Sequence, residues 1–173
     1  MKSPPGIEDF GLLGCSFVGR QSAWGLVQDR FGRARRRFAA DIEGRIEDGK
    51  LILEEEFRFE DGERSHRQWR IIATSPGRFE GEADDIIGKA QGAEMPWGLS
   101  WNYRMALPIG GRNIAFDFQD RMYPQAGCAI INRVQIRKFG FRVGDLTVVF
   151  LRQELAGQSP GGSVIGSSAA AAE

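Results

Sequence analysis

Several polar residues stand at positions that otherwise alternate apolar side chains. Arg36 precedes Phe38, Ala40 and Ile42; Glu55 lies between Leu53 and Phe57; Arg67 leads into Trp69 and Ile71. Asp85 follows Phe79 and Ala83, Tyr103 follows Trp101, Asp120 follows Phe116 and Phe118, and Asn132 lies between Ile130 and Val134. In an extended strand residues two apart share a face, so each polar group points where its apolar neighbours point. A charge buried there is costly unless it is paired or solvated. Three kinds of chemistry fit such a set. The first is a satisfied internal network. The second is docking of a ligand: Arg36 and Arg67 would pair with a carboxylate or phosphate head, with Phe38, Phe57, Trp69, Trp101, Phe116 and Phe118 beside its apolar body. The third is acid–base catalysis by Glu55, Asp85 or Asp120, each with a pKa raised by burial.

Other reactive residue types are scarce. Cys15 and Cys128 are the only cysteines and His66 the only histidine, short of the Cys/His set of a structural zinc site. His66 stands in Glu63-Arg64-Ser65-His66-Arg67 without a nucleophile signature, and reads as a solvent-facing strand residue. No metal, cofactor or catalytic residue is therefore assigned. Leu12-Leu13-Gly14-Cys15 looks like a lipobox, but the residues before it include Pro4, Pro5, Glu8 and Asp9 rather than an apolar run. The expectation is a cytoplasmic chain as sequenced, or a periplasmic or envelope-associated one if the true start lies upstream.

These residues need elements to position them. The chain has 173 residues, with 23 Lys and Arg against 23 Asp and Glu. The length fits one domain, and zero net charge argues against a nucleic-acid partner. No stretch reaches the ~18 apolar residues of a membrane-spanning helix. Turn signals recur at Gly32, Asp48-Gly49, Asp61-Gly62, Pro76-Gly77, Pro96-Trp97-Gly98, Gly110-Gly111, Gly127 and Gly144. Between them, period-2 alternation marks strand faces: Trp24, Leu26 and Gln28 on one, then Leu51 through Phe59, and Phe79, Ala83, Asp85 and Ile87 as a single segment. Ile114 to Met122, Cys128 to Ile136 and Leu146 to Phe150 follow. The expected fold is all-β: a single antiparallel up-and-down barrel of about eight to ten strands, lipocalin-like, with a short helix at Ile7–Leu13. Residues 1–9 read as an arm, 10–155 as the barrel, and 156–173 as a disordered tail rich in Gly, Ser and Ala.

Hairpin arithmetic refines this reading. A two-residue turn at Asp48-Gly49 sets Phe38 opposite Phe59, Ala40 opposite Phe57 and Ile42 opposite Glu55. Arg37 then meets Glu60, and Arg36 lies near Asp61. The basic run Arg30, Arg33, Arg35, Arg36 and Arg37 thus faces acidic residues across a hairpin and needs no nucleic acid. A loop of Asp61-Gly62-Glu63 would set Trp69 opposite Glu55 and Arg67 opposite Phe57. Slipping by one residue would turn Trp69 outward, so the first register is preferred.

Several ordered motifs resemble a proteobacterial domain family of unknown function. They are Trp24 to Gly32, Arg37-Phe38, Asp61-Gly62-Glu63 with Trp69, Gly81 to Gly92, and Asn132 to Gly140. Many relatives look like envelope lipoproteins, and the resemblance implies work near lipids and a lipocalin-like barrel in outline. It carries over no catalytic residue. The expected function is binding of a small hydrophobic or lipid-like ligand inside the barrel, with interior charges docking its polar head. The alternatives are a lipid-modifying enzyme, of isomerase or hydrolase type, using interior carboxylates, and a non-catalytic structural or interaction protein.

Overall fold

The computed structural model describes residues 6–126 and 129–153. Cys128 and the expected tail at 156–173 therefore lie outside the described residues. Ten antiparallel strands close into one barrel, and each pairs with its sequence neighbour. They are β1 (Gly19–Asp29), β2 (Ala34–Glu47), β3 (Lys50–Phe59), β4 (Arg64–Ser75) and β5 (Arg78–Glu82). Then come β6 (Ile86–Met95), β7 (Gly98–Ile109), β8 (Arg112–Pro124), β9 (Ala129–Lys138) and β10 (Phe141–Arg152), which pairs back onto β1. Closure gives each strand two neighbours, which removes the exposed edges of an open sheet.

The segment from Phe79 to Ile87, expected as one strand, divides between β5 and β6. The inward side of β6 carries Ala90 and Gly92, too small to produce an apolar alternation. A Cβ on Gly92 would run into the indole of Trp101, which occupies the space that a larger β6 residue would fill. The same exchange of volume inverts β1. Gln21, Ala23 and Gly25 are buried, whereas Trp24 is 52% exposed, so the face of Trp24, Leu26 and Gln28 is not the interior one. Gly25 lies under the Phe38 ring of β2, and Gln28 bonds the Gly32 carbonyl in the turn. Large rings on one strand select small residues on the next, because cores pack at nearly crystalline density.

The β2–β3 register is the expected one: Asp48 and Gly49 both have positive φ, and Ile42 lies opposite Glu55. The β3–β4 register differs by two residues. Phe59 and Glu63 are joined by a backbone hydrogen bond, so the loop is Glu60-Asp61-Gly62. Trp69 then faces Leu53, and Arg67 faces Glu55. A two-residue slip preserves which side faces in, so Trp69 remains buried while the charge partners change.

One barrel end is stoppered by a 3-10 turn at Ile7–Phe10 and by α1 (Gly11–Phe17), which extends beyond the expected Leu13. Phe10, Leu13 and Phe17 recur at helical spacing, and all three are buried. Phe10 stacks on Phe79 at 6.4 Å, and Phe17 meets Phe150 edge-on at 5.4 Å. The stopper is also tied by polar contacts. The Leu12 amide donates to Glu94 at 2.6 Å, the Gln21 side chain donates to the Ser16 carbonyl, and Arg152 donates to the Cys15 carbonyl. A Cβ on Gly44 would overlap the Phe17 carbonyl, where backbone rather than a movable side chain is in the way. Gly44→Ala is therefore expected to lose about 1–3 kcal/mol of stability through overpacking. Thermal melting checks this, with a fall of several degrees expected.

Candidate functional site

Inside the barrel, between the stopper and the opposite open end, lies a cavity with about 100 Å³ accessible to water-sized molecules. Leu13 and Phe17 of the stopper form its floor, and Phe38, Phe57 and Leu146 flank it toward the open end. Trp69, Trp101 and Tyr103 supply an aromatic wall. Trp69 meets Trp101 and Tyr103 edge-on at 5.6 and 5.5 Å, and Tyr103 stacks flat on the buried Phe118 at 5.1 Å. Such offset and edge contacts suit the ring quadrupoles and hold these side chains in place.

Four polar side chains interrupt this wall: Glu55, Arg67, Asp120 and Asn132. Cross-strand pairing places Arg67 directly against Glu55, with Nη1 3.5 Å from Oε2. The same guanidinium donates to both oxygens of Asp85, through Nε at 3.0 and 2.9 Å and through Nη2 at 2.6 Å. Asp85 is not on a strand; it sits in the β5–β6 connection and closes over Arg67 from the open end. On the far wall, the Asn132 amide donates to Asp120 Oδ2 at 2.8 Å.

Burial governs the protonation of these groups. It works against the Arg67 charge, but Glu55 and the Asp85 hydrogen bonds outweigh it and hold the guanidinium above its ordinary value. Burial lifts Glu55; Arg67 pulls it back and Asp85 pushes it up again, leaving it raised. Asp120 is lifted by burial to about 7, against the Asn132 hydrogen bond and with help from the Glu55 charge. Tyr103 is pushed well above its usual value by burial and by Asp120. One cation therefore serves three carboxyl groups, and the one farthest from it holds a proton near neutrality.

Asp120 Oδ1 and Asn132 Oδ1 are buried without a hydrogen-bond partner among the described residues, whereas Glu55 Oε2 is held by Arg67 Nη1 at 3.5 Å. Both unpartnered oxygens lie in the cavity wall; the Asn132 oxygen is an acceptor, and the Asp120 oxygen is one when the carboxyl is ionised. Buried polar atoms normally have partners, so these two mark where a polar partner is wanted.

Of the residues singled out in the sequence, Glu55, Arg67, Trp69, Trp101, Tyr103, Asp120 and Asn132 come together in the cavity wall. Phe118 supports it from behind, and Asp85 caps Arg67. Arg36 does not reach the cavity. It lies over the Phe59 ring at 3.6 Å and pairs with Asp61 and Glu63 at the rim, because β2 reaches the open end before Arg36 can turn inward. Phe116 is also outside the wall, half-buried near the open end with Lys138 5.3 Å from its ring. Both arginines proposed for an anionic head are already engaged by this chain's own carboxylates. The floor residues Leu13 and Phe17 were not singled out; their helical spacing with Phe10 was the available signal. His66 is on the outer face, with Nε2 2.8 Å from Glu54.

Residues 12–152 match the model of a family described as a protein of unknown function (DUF3833), and the chain belongs to that family. No curated protein matches the chain in sequence. Among solved structures it is similar to an S-type phycobiliprotein lyase from Guillardia theta, with a TM-score of 0.52 and 8% sequence identity. The match covers 77% of this chain and 85% of the lyase chain, and at this identity it is a likeness of fold.

The Asp120 carboxyl gives a signed test. Its pKa is about 7 when folded, against about 4 in an unfolded chain. The folded state then binds the proton more tightly. The resulting stabilisation is complete below about pH 4 and is lost as pH rises toward 7. Asp120→Asn removes this dependence. The variant is expected to melt progressively higher relative to the parent between pH 5 and 8, read from thermal denaturation at both values.

Proposed function

We propose that the barrel binds a small amphipathic molecule whose polar end carries N–H or O–H donors, such as a lipid-like amine or alcohol. The observation that carries this reading is the pair of unpartnered oxygens, on Asp120 and Asn132, which share the wall of one cavity with Glu55. A protonated amine would meet acceptors there and offset the excess of carboxyl groups over Arg67. A carboxylate or phosphate would add negative charge beside Glu55 and Asp120, with Arg67 already committed to two carboxylates.

Size restricts the ligand as well. Pockets that enclose a drug-sized molecule run to ~300–1,000 Å³. The space here, about 100 Å³, suits a head group rather than a whole lipid. The apolar body would extend toward the open end beside Phe38 and Phe57, which are only partly buried. The likeness to a phycobiliprotein lyase is one of fold, and leaves the class of ligand to the chemistry of the cavity.

Trp69 and Trp101 are buried at the cavity while Trp24 and Trp97 are exposed, so tryptophan fluorescence reports on binding. Titration with a long-chain amine or alcohol is expected to give a saturable change, and the matching fatty acid a much weaker one. Asp120→Asn should weaken the amine about tenfold or more, the scale of a hydrogen bond to a charged group. Equal binding of amine and fatty acid, or no saturable response to either, would refute the reading.

A second reading rests on the near-neutral Asp120 carboxyl: a lipid-modifying isomerase or hydrolase that uses it to move a proton. That reading requires turnover of a bound amphiphile by the parent and none by Asp120→Asn. Binding without turnover in both proteins rejects it.

A further inference from the structure

The open rim of the barrel carries five strand connections, and their chemistry divides in two. Three consecutive hairpin tips around the ring, β1–β2, β9–β10 and β7–β8, present large apolar side chains to solvent. Phe31 is 68% exposed, Phe139 84% and Phe141 76%, and Ile109 is exposed beside them. The other two connections, β5–β6 and β3–β4, carry Asp84 and Asp85 and then Glu60, Asp61 and Glu63.

Cations accompany the exposed rings. Arg30, Arg33, Arg112 and Lys138 stand at or beside the three tips and form no ion pair among the described residues, unlike Arg35, Arg36 and Arg37. The guanidinium groups of Arg30 and Arg33 lie 4.7 and 5.8 Å from the Phe31 ring, and Lys138 Nζ lies 4.6 Å from that of Phe139. The carboxylates near these tips, Asp29 and Asp145, are already held by Arg35 and Arg142.

Phe139 adds an independent observation. It occupies the first position of a two-residue turn with φ +50°, followed by Gly140 at +80°. That conformation favours Asn, Asp or Gly, and a bulky residue there is strained. A ring so exposed gains almost no packing inside the protein to offset the strain.

We propose that these three hairpin tips dock the open end of the barrel on an anionic phospholipid surface. Aromatic side chains sit favourably at headgroup depth, and neighbouring arginines and lysines reach anionic headgroups. The acids of the opposite arc are already paired with Arg36, Arg37, Arg67 and Arg70 and stand beside no exposed ring, so the barrel leans toward its aromatic arc. The inference does not depend on what the cavity holds.

Co-sedimentation of the full chain with vesicles at low salt tests this, using phosphatidylcholine alone and phosphatidylcholine mixed with phosphatidylglycerol. The parent is expected to bind the mixed vesicles at least about tenfold more strongly, and to release them as salt is raised. Replacing the four cations, as Arg30→Gln, Arg33→Gln, Arg112→Gln and Lys138→Gln, should weaken binding roughly a hundredfold or more. Phe139→Asn should bind less while melting at the same temperature or higher, which separates loss of contact from loss of fold. Equal binding to both vesicle types, no binding to either, or variants that bind like the parent would overturn the proposal. So would a parent that dimerises in solution through these phenylalanines without binding vesicles, since the arc would then fit a second copy of the chain.

Discussion

Arg67 is a single guanidinium set among hydrocarbon and aromatic rings, and the state of every acid near it follows from that placement. Taking such a charge out of water is costly, and opposed charges at close range compensate only with good geometry. Asp85 supplies the geometry with a two-oxygen clasp, and Glu55 supplies a second negative charge across the β3–β4 ladder. With Arg67 engaged by two carboxylates, Asp120 on the far wall has one hydrogen bond, from Asn132, and the residual field of Arg67 to stabilise its charge. Burial wins there, and the carboxyl is held near neutrality. The register of one hairpin therefore decides which cavity groups are charged.

That register depends on a three-residue loop, and here the sequence was partly legible. Alternation placed Glu55, Arg67, Trp69, Tyr103, Asp120 and Asn132 on interior faces, because period 2 survives any even slip. It could not distinguish Asp61-Gly62-Glu63 from Glu60-Asp61-Gly62 as the loop. The interior membership of Arg67 was readable, whereas its partner Glu55 was not. Asp85 was harder still: it acts from a connection between strands, where alternation has no meaning.

Packing accounts for the other differences. Strand faces were assigned by the position of large apolar residues, and this fails where a ring from a neighbouring strand fills the space. Gly25 under Phe38, and Gly92 under Trp101, make β1 and β6 interior through small residues. Trp24 is outside for the same reason. The number of strands was bracketed correctly because the barrel must close, but β6 has no apolar signature of its own. Zero net charge likewise conceals an uneven rim: among the described residues, arginines pair with acids on one arc, while cations without an ion pair stand beside bare phenylalanines on another.

The cavity is thus defined less by its volume than by an imbalance: acceptor oxygens outnumber donors in its wall. The most direct measurement is a carbon-detected NMR titration of the Asp120 carboxyl, with and without a saturating long-chain amine. The free protein should titrate near 7, and the bound amine should lower that value by favouring the ionised form. A carboxyl titrating at about 4 in the free protein, as an unperturbed aspartate does, or one unmoved by the amine, would contradict a donor-seeking site.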